Sequence, residues 1–471
     1  MNALLAASPV FSSVLALGLG IRALHAALLG VIAAVLAAII AFPIGAAEIT
    51  AAVIRWVPLV AEVVLIIGGG LLMSEVLRHA GAQAALANWI KNRVGTGVGA
   101  VLLVVHGITP FAESVTGFGI GVTIGIPLLV FMGVPARLAA LIGLLGLCAV
   151  PWGSMGPGTM IAAGLAGIRF DDLGVASAMF SLLPFTVNGV VAAWLVSAPQ
   201  NRPRALALAV LSAVVLTAAI ALSNIAFGTA PAGALGTVVI ICLHLLWGAR
   251  SKIASEPLSP IGRRALHAYG VLLGGVLIVG TLLKLSQLPE YWRYLASPAL
   301  WLFIAALWFS SGRPPAEPLS RARKSWLQVA PVTVLFIVMG IVMSVTGTAA
   351  FMARVLSEIG SGYLAIAPFV GAMGGFVTGS SSGSNAMFAA TQAEISRSLG
   401  MNVLMFMAIN NVAAAFATLA SPGRIEMAIQ LAGEDAAFER RWIQRMAIGV
   451  VVLVAGLLAV INVLLGFYLS T

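Results

Sequence analysis

Apolar runs of about 20 residues follow one another along most of the chain, and this feature restricts its fold most strongly. A run of that length crosses the hydrocarbon core of a bilayer as one α-helix. Of the 471 residues, 61% are hydrophobic and 8% are charged, whereas soluble domains carry roughly 25% charged residues. The sequence therefore predicts an all-α polytopic membrane protein.

The runs predict about 12 transmembrane helices and two irregular regions rich in glycine and proline. Uninterrupted spans are predicted near residues 3–20, 24–43, 54–77, 174–197, 205–227, 232–249, 265–284, 291–310, 327–347 and 442–468. The irregular regions lie near 98–132 and 363–399. Each precedes an interrupted helix: one runs from Arg137 to about 167 with its break at 151–158, and the other covers 402–431.

Basic residues concentrate in predicted loops, so the formal charge of +10 indicates cytoplasmic loops and contact with membrane lipid, not nucleic acid. The loops at 198–204, 250–264 and 311–326 would then be cytoplasmic and both termini periplasmic, in a bacterial inner membrane. The N-terminal segment lacks a basic start and is predicted to be a first membrane helix. The basic residues of these loops are Arg202, Arg204, Arg250, Lys252, Arg263, Arg264, Arg313, Arg321, Arg323 and Lys324. The span count then also places Arg78, Lys91, Arg93, Arg440, Arg441 and Arg445 on the cytoplasmic side. Cys148 and Cys242 are predicted to be buried, unbridged thiols.

An internal repeat relates the two halves of the chain. An offset of 265 residues places Pro157 on Pro422 and Glu113 on Thr378. Each unit is predicted to contain a helix, an irregular segment and a broken helix, with opposite orientation in the membrane, which is a common plan of secondary transporters. The predicted divisions are 1–53 (peripheral helices), 54–170 (repeat unit 1), 171–326 (connecting helices), 327–432 (repeat unit 2) and 433–471 (C-terminal helix).

The first irregular region reads HGITPFAESVTGFGIG over residues 106–121. Pro110 and the glycines Gly117, Gly119 and Gly121 predict a re-entrant hairpin, with a helix near 98–109, a turn at 110–119 and a second helix to about 132. Non-helical backbone at membrane depth is tolerated only inside protein or against a watery cavity. The turn ends at a helix N-terminus, which favours a bound anion.

Glu113 is the predicted proton-coupling residue, because a carboxyl group in apolar surroundings favours its neutral form. The alternative is a structural glutamate bonded to backbone amides. His106 lies seven residues upstream and could relay protons, although a buried histidine with satisfied hydrogen bonds is an equal alternative.

The second irregular region is rich in hydroxyl groups, with the run TGSSSGSN at residues 378–385. Such a run needs polar partners, so it predicts contact with a carboxylate, a hydroxyl group or Na⁺. The alternative is close helix packing through small residues. Arg424 follows the break in the second interrupted helix and could pair with a substrate carboxylate. The alternatives are that it anchors the helix at the membrane interface or pairs with Glu426. The predicted substrate-binding residues are Ser114, Thr116, Gly117, Gly119, Ser154, Thr378, Gly379, Ser380, Ser381, Ser384, Asn385, Asn410, Asn411, Ser421 and Arg424.

Two motifs in this order resemble the bacterial L-lactate permease family. FAESVTGFGIGV (111–122) is similar to the family's glutamate-glycine motif, and FVTGSSSGSNAMFAA (376–390) to its second motif. WGSMG (152–156) and the stretch 409–425 resemble its two broken helices. The resemblance implies proton-coupled symport of lactate, glycolate or a related 2-hydroxy monocarboxylate in an inner membrane.

The chain departs from the family pattern at several positions. Ser381 stands where an Asp is usual, Thr418 where a Lys is frequent, and Gly146 where an Asn is usual. Arg424 replaces a small polar residue and is expected to substitute for the missing lysine. The chain is also shorter than typical members.

The alternatives to proton symport are Na⁺-coupled carboxylate transport, a passive channel and an intramembrane enzyme. The sequence lacks the H-E-x-x-H and Walker-A patterns, and its G-x-S-x-G match at 379–383 lies in a predicted membrane region without the preceding strand of a nucleophile elbow. The prediction is therefore a secondary active transporter of a small organic anion. It needs no cofactor beyond a coupling H⁺ or Na⁺, and no particular oligomer is predicted.

Overall fold

The computed structural model describes residues 2–94, 97–117, 119–248, 257–286 and 289–469. Within these ranges the chain is all α-helical, with short 3₁₀ and π-helical turns and no strand, which confirms the predicted class. Arg250 and Lys252, two of the residues used to predict orientation, lie outside the described residues, as do the side chains of Lys91 and Arg93.

The N-terminal half begins with two long apolar helices and contains the first broken region. Its helices are α1 Asn2–Gly18, α2 Ala23–Ala41, α3 Ala46–His79, α4 Ala82–Val94, α5 Val98–Leu103, α6 Thr109–Thr116, α7 Ile120–Phe131, α8 Ala136–Leu145, α9 Pro157–Ala166, α10 Phe170–Val196, α11 Arg202–Phe227 and α12 Thr229–Gly248.

The C-terminal half contains the second broken region and ends on one long apolar helix. Its helices are α13 Pro260–Leu285, α14 Pro298–Phe309, α15 Ala316–Val345, α16 Thr348–Ser357, α17 Gly362–Thr378, α18 Ser381–Ser398, α19 Val403–Ala417, α20 Pro422–Ala432, α21 Glu434–Phe438 and α22 Arg440–Leu469.

Eleven helical segments among the described residues are long and apolar enough to cross a bilayer. Their outward faces carry exposed Leu, Ile, Val, Phe and Trp side chains, as expected of a surface solvated by hydrocarbon. The molecule is therefore a multi-pass membrane protein. The eleven segments include Val98–Thr116 of the first irregular region, whereas the predicted spans at 3–20 and from Arg137 to about 167 are shorter helices.

The predicted loop at 311–326 is wrong, because α15 begins at Ala316 and extends the apolar span toward the interface. Glu317 pairs with Arg321 one turn later, so this polar turn is stabilised as helix by an i,i+4 ion pair. The prediction also missed α4, α16 and α21, since a search for 20-residue apolar runs does not detect short amphipathic helices.

The first break lies later than predicted. Pro110 does not begin the turn, because a π-helical turn at Val104–Ile108 leads without interruption into α6. A wider turn accommodates the proline, which sits in the first turn of α6, where its missing N–H costs little. Helix α6 continues to Thr116, and the backbone leaves it only at Gly117. In the interrupted helix, by contrast, α8 ends at Leu145, before the predicted break.

Small residues bring the broken regions into close contact with their neighbours. Gly371 and Gly375, four residues apart on α17, lie directly against the backbone of Asn410 and Ala414 on α19. A β-carbon at Gly375 would overlap the carbonyl oxygen of Ala414. This small-xxx-small contact lets two buried helices pack at short range, as is common in membranes.

The broken regions also pack crosswise. The second helix of each broken region contacts the second part of the opposite interrupted helix: α7 packs on α20, and α18 packs on α9. All four breaks therefore approach one another in the interior of the molecule. Cys148 is buried there as predicted, whereas Cys242 is exposed on the outward face of α12, which corrects its predicted burial.

The long helices α3 and α15 are packed antiparallel. Trp326, near the start of α15, donates its indole N–H to the carbonyl of Val64 at 3.1 Å and touches Gly68. The later part of α15, Val338–Val345, shares a groove with the earlier part of α3, Ile49–Val64. Residues near the start of α3 and near the start of α15 therefore lie toward opposite ends of the molecule.

Candidate functional site

The carboxylate of Glu113 lies at the break between α6 and α7, which we call the first break; the second break lies between α17 and α18. The carboxylate accepts hydrogen bonds from the backbone N–H of Gly119, at 3.1 and 2.9 Å to its two oxygens, and a longer one from Gly121 at 3.4 Å. Gly119 has φ of +84°, which an L-residue rarely adopts, and it precedes the first residue of α7. Glu113 thus satisfies N–H groups that the start of α7 would otherwise leave without partners. The anion position predicted at this helix N-terminus is occupied by the protein's own carboxylate.

The second break has the same outline with different chemistry. The preceding helices end in Thr116 and Thr378, whose hydroxyls donate to the carbonyls of Ala112 (2.5 Å) and Gly374 (2.7 Å). Gly117 and Gly379 follow, with φ of +68° and +63°. Here α18 is capped by Ser380, whose hydroxyl oxygen accepts from the N–H of Gly383 at 3.2 Å.

The alignment of the two breaks differs from the sequence offset. The helix ends Thr116 and Thr378 are separated by 262 residues (378 − 116), whereas the aligned prolines Pro157 and Pro422 are separated by 265. Both prolines begin helices, α9 and α20. Thr378 thus ends its helix as Thr116 does, whereas the offset of 265 predicted from the sequence aligns Thr378 with Glu113.

A cavity of about 330 Å³ lies between the two breaks and the two interrupted helices. Eight of the predicted site residues line it: Glu113, Gly117, Ser154, Thr378, Gly379, Ser380, Ser381 and Arg424. Its remaining polar lining comes from Gln328, Thr333, Ser382 and Thr418. The tertiary structure thus brings residues more than 300 positions apart into one polar compartment surrounded by apolar helices.

Arg424 supplies the cation of this cavity. Its Nη2 lies 3.7 Å from Oε1 of Glu113, and the side chains are 14% and 3% exposed. Nη1 is buried without a hydrogen-bond partner among the described residues and rests on Gly119, where a β-carbon would overlap it. The helix dipole and burial both disfavour a positive charge in the first turn of α20. The negative charge of Glu113 offsets these two costs. The alternative pairing with Glu426 is wrong, because Glu426 pairs with Arg440.

Ser154 faces the cavity from a strained turn. Ser154 and Met155 have φ of +43° and +66°, which is uncommon outside glycine and asparagine, and Gly156 continues the left-handed turn at +81°. The Ser154 hydroxyl is buried without a hydrogen-bond partner among the described residues. A strained backbone that presents an unpartnered donor is typical of ligand sites.

Asn385 and Asn411 do not line the cavity and instead connect four helices. Asn385 donates to the carbonyl of Gly158 (3.1 Å) and to Oδ1 of Asn411 (2.8 Å), and Asn411 donates to Thr159 and Ser177, both at 3.0 Å. This network joins α18, α19, α9 and α10. Its geometry indicates a structural role for both asparagines.

His106 also lies away from the cavity. Its Nδ1 is 2.8 Å from the hydroxyl of Ser212 on α11, and its Nε2 is 3.0 Å from the carbonyl of Phe185 on α10. Since the carbonyl only accepts, Nε2 carries the hydrogen and Nδ1 accepts from the serine. Both ring nitrogens are satisfied in the neutral state, which matches the structural alternative for this residue.

The other predicted residues surround the cavity without lining it. Ser384 donates to the carbonyl of Gly371 at 3.0 Å, and Ser421 lies against Gly379. Ser114 lies against Gly233 of α12, and its hydroxyl has no hydrogen-bond partner among the described residues. The amide of Asn410 is likewise buried without one. Thr116 and Gly119 belong to the helix ends described above.

Gln328 and Thr333 were not predicted to belong to the site. Both lie on α15 and line the cavity opposite the breaks, with Gln328 exposed at its edge. Their position as polar side chains inside an otherwise apolar span could have identified them from the sequence. No group of three or more His, Cys, Asp or Glu that could hold a metal ion occurs among the described residues.

These features define a polytopic α-helical membrane protein whose broken helices enclose a buried polar cavity with one ion pair. Comparison with known proteins gives a narrower class: residues 292–466 match the family model described as L-lactate permease. The resemblance to the L-lactate permease family is thereby confirmed for this part of the chain. The proteins that the chain matches there are permeases.

Two curated relatives show the extent of the similarity. Over 88 residues the chain is 33% identical to the L-lactate permease of Escherichia coli (strain K12) and 32% identical to that of Salmonella typhi. These segments cover 19% of this chain and 16% of each relative. The family match contains the second broken region and Arg424, whereas Glu113 and the first broken region precede it.

Proposed function

We propose that the protein is a secondary active transporter that carries a small monocarboxylate, such as lactate, glycolate or a related 2-hydroxy acid, together with a proton. The observation that carries this proposal is the buried pair of Glu113 and Arg424, in which Nη1 of the arginine has no hydrogen-bond partner among the described residues. A guanidinium group binds a carboxylate through a planar fork of donors. Nη1 of Arg424 is thus available to donate a hydrogen bond to a substrate carboxylate.

Competition between two carboxylates for Arg424 would couple the proton to the substrate. An ionised Glu113 balances the charge of Arg424 in the empty cavity. A substrate carboxylate would bring a second negative charge to the same guanidinium at low dielectric, which is costly. Protonation of Glu113 removes the excess charge and releases Arg424 to the substrate. Proton and anion would therefore bind together and cross together.

The hydroxyl lining suits a 2-hydroxy acid. Ser154 offers a buried hydroxyl without a hydrogen-bond partner among the described residues, and Ser380, Ser381 and Thr418 face the same space. A volume of about 330 Å³ lies at the small end of ligand pockets, which span roughly 300–1,000 Å³. A three-carbon anion with a few waters fits, and its hydroxyl group would meet Ser or Thr partners.

We also propose that the two broken regions are re-entrant hairpins in two inverted repeats, with units at 54–170 and 327–432 as the sequence indicated. The antiparallel packing of α3 and α15, the first helices of the units, supports opposite orientations. The crosswise contacts of α7 with α20 and of α18 with α9 support a substrate site at the repeat interface. In this arrangement both termini would lie on the periplasmic side of an inner membrane.

Sodium coupling is the second candidate. The side-chain oxygens of Asn385 and Asn410 are buried near the second break and accept no hydrogen bond from the described residues. Amide oxygens at an unwound helix can coordinate Na⁺. Uptake that requires Na⁺ and ignores the pH gradient would select this alternative.

The test of the proton role is Glu113→Gln in proteoliposomes loaded to give an inward pH gradient. Glutamine removes the titratable charge and keeps the size of the side chain. We expect loss of pH-driven lactate accumulation, with some lactate–lactate exchange retained. Glu426→Gln is the matched control, because that glutamate pairs with Arg440 on the surface. Full pH-driven accumulation by Glu113→Gln would contradict the proposal.

Ligand-induced thermal stabilisation tests the substrate class independently of coupling. A ligand at 100 times its Kd stabilises the folded state by about 2.7 kcal/mol. We expect lactate and glycolate to raise the melting temperature of the purified protein, and dicarboxylates to do so much less, since a second charge would lack a cation. Failure of every monocarboxylate, with Na⁺ and pH varied, would overturn the assignment.

A further inference from the structure

A second, larger cavity lies at the end of the molecule where α3 begins. Its volume is about 920 Å³, and it is formed by the first part of α3, the end of α9, the start of α10 and the end of α13. None of the predicted site residues lines it. We refer to it as the vestibule, and to the cavity of Glu113 and Arg424 as the transport cavity.

One face of α9 lines both compartments. Pro157 borders the transport cavity, and Met160 and Gly164, which follow on the same helical face, border the vestibule. Three residues along a helix correspond to about 4.5 Å. On α3, Glu62 borders the vestibule and Ile67 the transport cavity, a separation of about 7.5 Å along the axis. The two spaces are therefore successive compartments with a thin partition between them.

Buried apolar side chains lie next to the residues that line the two compartments. Ile66 and Met155 are fully buried in one apolar cluster, and Ile67 belongs to the neighbouring one. Met160 is half-buried and packs against both clusters. Methionine is flexible and adapts its packing readily. Met155 also belongs to the strained left-handed turn that places Ser154 in the transport cavity.

The two cavities extend away from their partition in different directions. The transport cavity extends to Ala23, the first residue of α2, and to the exposed Gln328 in the first half of α15. The vestibule lies between Arg55, near the start of α3, and Lys284, at the end of α13. Trp326 contacts Val64, so Gln328 lies near the middle of α3, whereas Arg55 lies nine residues, about 13.5 Å, nearer to the start of that helix.

The lining of the vestibule favours an anion. It contains the basic residues Arg55, Arg169, Lys284 and Arg293 and the acidic residues Glu62 and Asp171. Arg169 also pairs with Asp172 beside the lining, at 3.9 Å, so the surplus is one positive charge (4 − 3). Both acids already accept hydrogen bonds, Glu62 from the hydroxyl of Ser297 at 2.6 Å and Asp171 from the N–H of Thr229 at 2.8 Å. A cleft with a surplus of one charge sign raises the local concentration of the opposite ion.

We propose that the vestibule is the second entrance to the transport cavity, where small organic anions collect before or after crossing a gate formed by Met160 with Ile66 and Met155. This inference rests on the proposed function and adds a route, a gate and a low-affinity anion compartment to it. The structure then represents the state open on the Gln328 side and closed on the vestibule side.

Met160→Trp tests the gate, because an indole would fill the partition without touching Glu113 or Arg424. We expect lactate uptake into proteoliposomes to fall at least tenfold. Lactate-induced thermal stabilisation in detergent should stay within twofold in affinity, since the mouth at Gln328 remains open. Met405→Trp is the matched control: it is a half-buried methionine on α19 that packs against the same apolar cluster and lines neither cavity.

Met160→Cys in a Cys148→Ala/Cys242→Ala background covers the case in which the tryptophan variant does not fold. We expect a charged methanethiosulfonate reagent to modify this cysteine and to stop uptake. Unimpaired uptake by Met160→Trp, or by the fully modified cysteine variant, together with normal lactate binding, would overturn the gate alone. Absence of lactate binding in the unmutated protein would instead overturn the proposed function.

Lys284→Gln tests the electrostatic role of the vestibule. At low ionic strength we expect the KM for lactate to rise about threefold, and at 0.5 M salt we expect no difference, because salt screens exposed charges. Lys324→Gln, an exposed lysine on α15 outside both cavities, should leave the KM unchanged in both conditions. A KM of Lys284→Gln equal to that of the unmutated protein at low salt would contradict anion collection in the vestibule.

Discussion

At the scale of single residues, Glu113 combines three tasks in one carboxylate. It closes the first break by accepting from Gly119 and Gly121, it balances Arg424, and it forms part of the cavity wall. A proton bound to it would weaken the first two interactions at once. Protonation would therefore loosen the start of α7 while it releases the cation, which links charge to conformation in one group.

Gly119→Ala should remove Arg424 from its position. A β-carbon would overlap Nη1, and the φ of +84° would strain an alanine by about 1–2 kcal/mol. Losing a hydrogen bond to a charged group costs about 1.5–3 kcal/mol, so we expect lactate affinity, measured by thermal shift, to fall at least about tenfold. Gly423→Ala is the control, because a β-carbon there meets open space on the same helix as Arg424. Equal affinities of the two variants would show that Arg424 does not contact the substrate.

At the scale of elements, the broken segments depend on glycines that serve two different purposes. Gly117 and Gly379 provide positive φ at the ends of α6 and α17, whereas Gly371 and Gly375 provide a surface for α19. The sequence shows the glycines but not which purpose each one serves. Pro110 illustrates the difficulty, since it was expected to start the turn and instead lies in the first turn of a helix.

Gly375→Ala should destabilise the second broken region. The backbone of Ala414 cannot move aside as a flexible side chain would, so α17 and α19 must separate. Overpacking of this kind costs about 1–3 kcal/mol, and we expect a lower melting temperature in detergent. Gly449→Ala on α22 is the control, because a β-carbon there has no neighbour within 4 Å. A melting temperature equal to that of this control would show that the interface adapts.

At the scale of the whole molecule, one buried polar network holds the two halves of the chain together. Asn411 and Asn385 come from the second half, and Thr159, Ser177 and Gly158 from the first. Hydrogen bonds of this kind are specific in a membrane interior, where apolar contact distinguishes little between partners. The network fixes the relative position of the breaks on which the transport cavity depends.

Asn411→Ala should lower the melting temperature and leave the affinity for lactate nearly unchanged. It would leave the Ser177 hydroxyl without its partner, at about 1–3 kcal/mol for an unsatisfied group, and would remove one hydrogen bond each from Asn385 and Thr159, which keep the carbonyls of Gly158 and Pro151. Asn410→Ala is the neighbouring control, since its amide makes no hydrogen bond with the described residues and its removal should cost less. Loss of lactate binding with an unchanged melting temperature would instead support the role in substrate binding predicted from the sequence.

The sequence by itself determined the class of protein, most of the spans and the two irregular regions. Length and apolarity of a run decide whether a helix can cross a bilayer, and both are local properties. The same holds for the motifs at 111–122 and 376–390 that carried the family resemblance. Short amphipathic helices such as α4 and α16 were not predicted, because the length and apolarity of a run do not identify them.

Only the tertiary structure decided which polar residues meet. Glu113, Ser154, Thr378, Ser380 and Arg424 share a cavity, whereas Asn411 and His106 are satisfied elsewhere. No pattern in the chain distinguishes these sets, because the partner of a buried polar group depends on how distant helices pack and not on its own neighbours. The Glu113–Arg424 pair, which joins residues 311 positions apart (424 − 113), arises from that packing alone.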